Sequence, residues 1–378
     1  MTSATALRHL VRFGNGSDYK SIEAPEGPYP VYGSGGEFAR ATEYLHEGES
    51  VLFGRKGTVD RPLYVNGRFW TVDTMYYTIP GPQVEPKFLY YWATTIPFGL
   101  YSTNTALPSM TSGMLGRLQF PLLERKHQRR IADYLCRETA TIDALIEKQQ
   151  RLRSVLKERR QEVVRARLAD VGPQVQLRHL VVRERPMTYG ILQAGEHDDG
   201  GVPYIGPADI SHVGGTPALQ DLRRTTVEIA AQYQRSTLRP GDLVASIGPA
   251  YGHVMEVSEE LDGANLTQDT VRLALDPDRA HRRYLMWVLQ GAASRDFWNF
   301  EITGATFRRL NLGTLARTPV PLPSLNEQRE IADHLDRETA KIDALIAKAE
   351  RFIELAQERR AALITAAVTG QIEIPTED

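Results

Sequence analysis

One cysteine, Cys136, stands in 378 residues. That excludes an internal disulfide framework and any cysteine-rich zinc site. No run approaches 18 consecutive apolar residues, so no membrane-spanning helix is expected. The opening stretch MTSATALRHLVRF lacks the apolar segment of a secretory signal, and the expectation is a cytoplasmic chain. A net charge of −2 provides no global basic field. Catalytic signatures are missing together: no GxxxxGK[ST] phosphate loop, no glycine-rich cofactor loop after a strand, no HExxH, and no acidic cluster joined by lysine. The acidic stretch GEHDDG at 195–200 has no second ligand cluster to complete a metal site and reads as a polar loop. No metal and no catalytic residue is expected.

What is present is a repetition. IADYLCRETATIDALIEK at 131–148 returns as IADHLDRETAKIDALIAK at 331–348. Between 128–160 and 328–360, 20 of 33 positions are identical. The register extends upstream, where Gly113, Leu115, Arg117, Pro121 and Leu122 recur as Gly313, Leu315, Arg317, Pro321 and Leu322. The repeated unit is therefore the end of a globular segment, a proline hinge and a helix.

Heptad spacing of Ile131, Leu135, Ile142, Leu145, Leu152 and Leu156, and of Ile331, Leu335, Ile342, Leu345 and Phe352, predicts two amphipathic helices of about 40 residues each. The second opens on a capping box, Ser324 before Glu327, and stops at Gly370; the first stops at Gly172-Pro173. Residues 124–170 carry 13 basic and 8 acidic side chains, and residues 324–378 carry 7 and 12. Opposite net charges suit pairing of the two helices, with Leu135, Ile142, Leu145, Leu335, Ile342 and Leu345 as the core between them. The RETA stretches, 137–140 and 337–340, either dock partners or bracket the coil. Periodicity alone favours a generic coiled-coil dimerisation element; the placement of one helix after each globular segment argues against it. A coiled-coil scaffold whose heads bind protein is the alternative reading.

Residues 1–123 and 174–323 are rich in glycine, proline and aromatics, with short alternating apolar runs. ESVLFGRKG and GDLVASIGPAYGHVMEV read as strands around glycine turns, and EPKFLYYWATT and HRRYLMWVLQG as short amphipathic helices. The expected fold is α+β: two globular domains, each followed by a long helix, the helices pairing as an antiparallel coiled coil. The expected boundaries are 1–123, 124–171, 172–323 and 324–370, with a tail at 371–378.

YPVYGSGG at 29–36, FGRKGTV at 53–59, FWTVDTMYY at 69–77 and PLPSLNEQREIADHLD at 321–336 resemble the specificity subunit of type I restriction–modification systems. The resemblance covers essentially the whole chain. Its helix-start motif, together with the in-register duplication, is specific; the glycine-loop pieces alone are weak. The first copy departs from the motif, with His127-Gln128 in place of Glu327-Gln328. The resemblance implies that each head is a target recognition domain reading one half of a bipartite, asymmetric site in double-stranded DNA. It implies that the helices set the gap and dock two methyltransferase subunits, and that restriction–translocase subunits join them. S-adenosylmethionine, ATP and magnesium would then belong to the partners and not to this chain. An adaptor serving a combined methyltransferase–nuclease polypeptide fits the same motifs. No Asn-Pro-Pro-Tyr-like element of an adenine methyltransferase is present, which agrees with a non-catalytic subunit.

Loop residues able to reach phosphates or base edges are the candidate DNA contacts. In the first head they are Tyr32, Ser34, Gly35, Arg55, Lys56, Asn104 and Ser109. In the second they are Ser246, Tyr251, His253, Thr306, Arg308 and Arg309.

Overall fold

The computed structural model describes residues 4–101, 108–210, 216–302 and 309–375. They fall into two units: residues 1–151 with 349–378, and residues 152–348. Among the described residues no helix is long and apolar enough to cross a membrane.

In the first unit, Ser50–Gly54 is buried along its whole length, as its apolar run Val51-Leu52-Phe53 requires. It lies between Met75–Pro80 and Leu63–Val65 in a four-stranded sheet completed by Val11–Asn15. A second sheet has the order Gly36–Ala41, Tyr29–Gly33, Arg68–Thr71, His46–Glu47. The short helix Pro86–Thr94 starts on proline, whose fixed φ suits a first turn. It buries Phe88, Leu89 and Trp92 against Phe53 and Phe120.

The second unit repeats the plan with other residues. Leu243–Ser246 is the buried strand, flanked by Thr270–Leu273 and Val254–Glu256, with Thr188–Tyr189 at the edge. Val202–Ile205, Arg224–Thr225 and Asn265–Leu266 form the smaller sheet. The short helix Arg282–Gln290 buries Leu285, Trp287 and Leu289. In each unit a strand just before the long helix, Gln119–Pro121 or Pro319–Pro321, pairs with one that opens the head, Ala4–Ala6 or Gln174–Gln176.

The long helices run over Arg125–Leu168 and Leu325–Val368, 44 residues each, or about 66 Å at 1.5 Å per residue. Ser324 and Glu327 form the expected box: the Glu327 carboxylate accepts from the Ser324 amide at 2.9 Å and from its hydroxyl at 2.7 Å. Those two hydrogen bonds hold the Glu327 carboxyl below its ordinary pKa. Gly370 ends the second helix with φ 73°. The first ends earlier than Gly172: Asp170 takes the left-handed position with φ 52°, the only non-glycine positive φ among the described residues. A short polar side chain tolerates that conformation better than a branched one does.

The helices pack together within each unit, antiparallel. In the first, Ile142 and Ile146 meet Ile353, while Leu135 shares a core with Ile364, Ala367 and Val368. Asp143 accepts from Arg360 at 2.8 Å. In the second, Val164 shares a core with Ile331 and Leu335, and Arg160 donates to Asp343 at 2.8 Å. The two ion pairs join equivalent positions of the repeat, 143 with 360 and 343 with 160.

Two expected core residues are elsewhere. Leu145 and Leu345 are 44% and 49% exposed, and Ile342 is half-buried. The buried seats of the first helix step through Ile131, Leu135, Thr139, Ile142 and Ile146. After Ile142 the step is four residues, which turns Leu145 about 100° away from the seam. The RETA threonines are inside: Thr139 and Thr339 are buried and donate to the Leu135 and Leu335 carbonyls at 2.7 and 2.6 Å.

Candidate nucleic-acid interface

Three segments distant in sequence converge at one edge of each head. In the first unit the Arg55 amide donates to the Thr74 carbonyl at 2.7 Å, and the Met110 amide donates to the Arg55 carbonyl at 3.0 Å. Lys56 forms a bridge with Ser109, and the Val72 amide reaches the Tyr32 carbonyl at 3.1 Å. The turn after Tyr32, the Arg55-Lys56 loop, the 72–74 turn and Ser109 are thus tied into one cluster by main-chain bonds. Bonds of this kind hold loop backbone in place while leaving side-chain identity free.

Within the cluster, Arg55 and Lys56 are exposed, and the Arg55 guanidinium lies 5.9 Å from the Tyr76 ring centre. Ser34 is half-buried and Gly35 exposed, with no atom within 4 Å of where a Cβ would stand on Gly35. Tyr32 is half-buried against Phe69, and its hydroxyl pKa is raised by burial and then by Glu37. Its ring is a wall of the site more than an exposed reader. Asn104 lies outside the described residues.

The second unit builds the same junction. The Ile247 amide donates to the Asp269 carbonyl at 2.8 Å, and the Leu310 amide donates to the Ile247 carbonyl at 2.9 Å. Tyr251 is half-buried, with its hydroxyl donating to Asn299 at 2.6 Å. His253 is half-buried in the same loop, and Arg309 is exposed beside Asp269. Ser246 is off the surface. It is fully buried, donates to the Ala250 carbonyl at 2.8 Å, and accepts from the His253 amide at 3.0 Å. It braces the loop from beneath, because strand pairing with Thr270 leaves its side chain pointing inward. Thr306 and Arg308 lie outside the described residues.

The 195–200 loop is held by its own groups and by Arg224, whose amide donates to the His197 ring at 3.1 Å. His197 and Asp199 approach to 3.0 Å, and the Gly200 amide donates to Asp198 at 3.1 Å.

One pair of residues in the helix-start motif was not singled out from sequence. Gln128 and Gln328 are buried and make the same three bonds in their own units. Gln128 accepts from the Glu85 amide at 2.9 Å and donates to the Gln83 and Leu123 carbonyls at 3.0 and 2.9 Å. Gln328 accepts from the His281 amide at 2.8 Å and donates to the Arg279 and Pro323 carbonyls, both at 3.0 Å. Each glutamine fastens the start of a long helix to the start of a short helix and to the proline hinge. Head orientation relative to its own helix is fixed there. The signal was available: both copies keep this glutamine where the preceding residue differs.

Each unit also leaves three apolar side chains uncovered on its helix pair. In the first they are Leu145, Phe352 and Leu355; in the second, Leu345, Leu152 and Val155. The two triads are the same positions of the repeat.

Comparison with known proteins agrees with this layout. A solved structure described as the structural basis of complex assembly and conformational transition of the type I restriction–modification system matches with TM-score 0.68 at 17% identity, over 98% of each chain. It shares the fold. The type I restriction enzyme EcoBI specificity subunit of Escherichia coli is 25% identical over 364 residues, covering 88% of this chain and 72% of that protein. The type I restriction modification DNA specificity domain matches residues 10–154 and 191–354, one match over each head and most of its helix. The chain belongs to the family of type I restriction–modification DNA specificity subunits.

Proposed function

We propose that each head reads one half of an asymmetric, bipartite duplex site, residues 1–123 one half and residues 172–323 the other. The helices at 124–171 and 324–370 set the gap and dock two methyltransferase subunits, with restriction subunits joining that assembly. The chain itself is a non-catalytic specificity subunit; S-adenosylmethionine, ATP and magnesium are handled by its partners. The observation that carries this reading is repetition with variation. Two main-chain bonds of the loop junction recur in both heads, yet Arg55 and Lys56 of one are Ile247 and Gly248 of the other. The same scaffold with different side chains reads different bases.

The uncovered triads support the docking half of the proposal. Leu145, Phe352 and Leu355 repeat as Leu345, Leu152 and Val155, so a partner that fits one fits the other. Exposed leucine and phenylalanine on a paired helix suit an apolar helix of a second protein. The heads are near neutral, with 10 basic and 10 acidic side chains in residues 1–123 and 15 and 17 in residues 171–323. Phosphate neutralisation by so balanced a surface is weak, so tight binding requires the methyltransferase subunits to close around the duplex.

The test is methylome sequencing of cells co-expressing this chain and its neighbouring methyltransferase. The expected result is a methylated motif of two unlike halves at a fixed gap, and exchange of residues 1–123 changes only one half. Loss of methylation by L145E/L345E in a chain that still folds supports docking at the triads. An active complex that yields no bipartite motif overturns the reading.

A further inference from the structure

We infer that Arg309 reads a guanine in the half-site of the second head, held in place for that purpose by Asp269. The inference rests on the DNA-reading function proposed above. One terminal nitrogen of the guanidinium, Nη2, donates to the Gln268 carbonyl at 2.8 Å and lies 3.0 Å from the Asp269 carboxylate as an ion pair. Nε and Nη1 have no partner among the described residues, and the side chain is 45% exposed. The result is a guanidinium anchored at one corner with the rest of its donors presented outward. Two outward N–H groups in a fixed plane match the O6 and N7 acceptors of guanine in the major groove.

The anchor is itself supported. A Cβ on Gly248 would stand 3.1 Å from the Asp269 Cβ and 3.3 Å from its Oδ1, so glycine at 248 makes the room in which the carboxylate sits. The Gly248 and Ile247 amides both donate to the Asp269 carbonyl, at 3.3 and 2.8 Å. The Leu310 amide then ties the residue after Arg309 to Ile247 at 2.9 Å. The chain of support runs from Gly248 through Asp269 to Arg309, and every link is within the second head.

Charge decides between a base and a phosphate as the ligand. An arginine that serves phosphate is best left without a carboxylate beside it, because the carboxylate offsets its charge and repels the anion. Guanine O6 and N7 are neutral acceptors that reward geometry more than net charge. Asp269 fixes geometry at the expense of net charge, and so favours guanine.

The experiment uses the complex of the full chain with its methyltransferase, on the duplex defined by the methylome. Each guanine of the second half-site is replaced in turn by 7-deazaguanine, which lacks the N7 acceptor. For the unaltered complex one position weakens binding by about ten- to hundredfold. In R309A that replacement has no further effect, while guanines of the first half-site behave as before. D269N weakens discrimination at the same guanine only. R309K, which keeps charge and loses the planar fork, behaves like R309A. Equal loss at every 7-deazaguanine in both proteins overturns the inference, as does a second half-site without guanine. So does a fall of about one in the salt slope of R309A with no base dependence, the mark of a phosphate contact. If the unaltered complex shows no sequence preference at all, it is the DNA-reading function that fails.

Discussion

Replacing Gln328 by leucine keeps the volume of a side chain that is fully buried, and removes three hydrogen bonds. The His281 amide is left without a partner, and the Arg279 and Pro323 carbonyls lose theirs. A buried polar group without a partner costs about 1–3 kcal/mol, the amide toward the upper end and the carbonyls toward the lower, so Q328L is expected to lose about 3–5 kcal/mol. That is a large share of the roughly 5–15 kcal/mol that holds a domain together. Urea unfolding gives the total. Hydrogen exchange read by mass spectrometry locates the loss, expected at 279–290 and 325–340 and not in the first head. Q328E separates hydrogen bonding from packing. Its carboxylate still accepts from His281 but has no proton for the two carbonyls at 3.0 Å, so it is unstable at pH 7. The folded state raises the pKa of that carboxyl. Stability is therefore lost above the folded pKa and recovers as pH falls through it, when one donor returns. A Q328L chain within about 1 kcal/mol of the unaltered one, or a Q328E chain with no recovery in acid, refutes the assignment of Gln328 as the clamp.

Two further outcomes are expected. D143R sets two cations against each other where Arg360 meets Asp143 at 2.8 Å; it lowers stability by about 1 kcal/mol, and D143R/R360D restores it, read as a double-mutant cycle by thermal denaturation. His46 is stacked on Tyr77 with ring centres 5.0 Å apart, and burial lowers its pKa below the ordinary 6.5. A folded pKa below the unfolded value means that stability is complete above pH 6.5 and declines as pH falls toward the folded pKa; H46F flattens that decline in melts between pH 7 and 5, and an unchanged slope counts against it.

The long helices were legible because the text is written twice and because a start signal stands at Ser324. Periodicity alone could not settle the seam. A 3.5-residue repeat and a 3.6-residue helix diverge slowly, so Leu145 and Ile146 compete for one seat, and the partner helix, through Ile353, chooses Ile146. In the heads, residue type named loops but did not place their atoms. Ser246 is polar and next to a glycine turn, yet strand register turns it inward. Arg309 was legible as a basic loop residue, but its carboxylate anchor comes from a segment 40 positions earlier that only folding brings near. Gln328 was legible as a kept residue of the helix-start motif, but its clamping role was not, because its three partners are main-chain groups, which carry no sequence signal.

The first unit is written in two pieces, residues 1–151 and 349–378, while the second is one continuous stretch, 152–348. Ile364, Ala367 and Val368 belong to the core of the first head, and Ile374 closes it from beyond the helix. During synthesis the head made first therefore waits for residues 349–374, and the head made second completes itself before then. A ribosome that stops before the second long helix releases a chain with one finished head and one whose apolar flank is open. Such a fragment carries its own mark of incompleteness, an exposed Leu135 face for chaperones and proteases to find. The arrangement ties a closed core in the first head to synthesis of the second long helix.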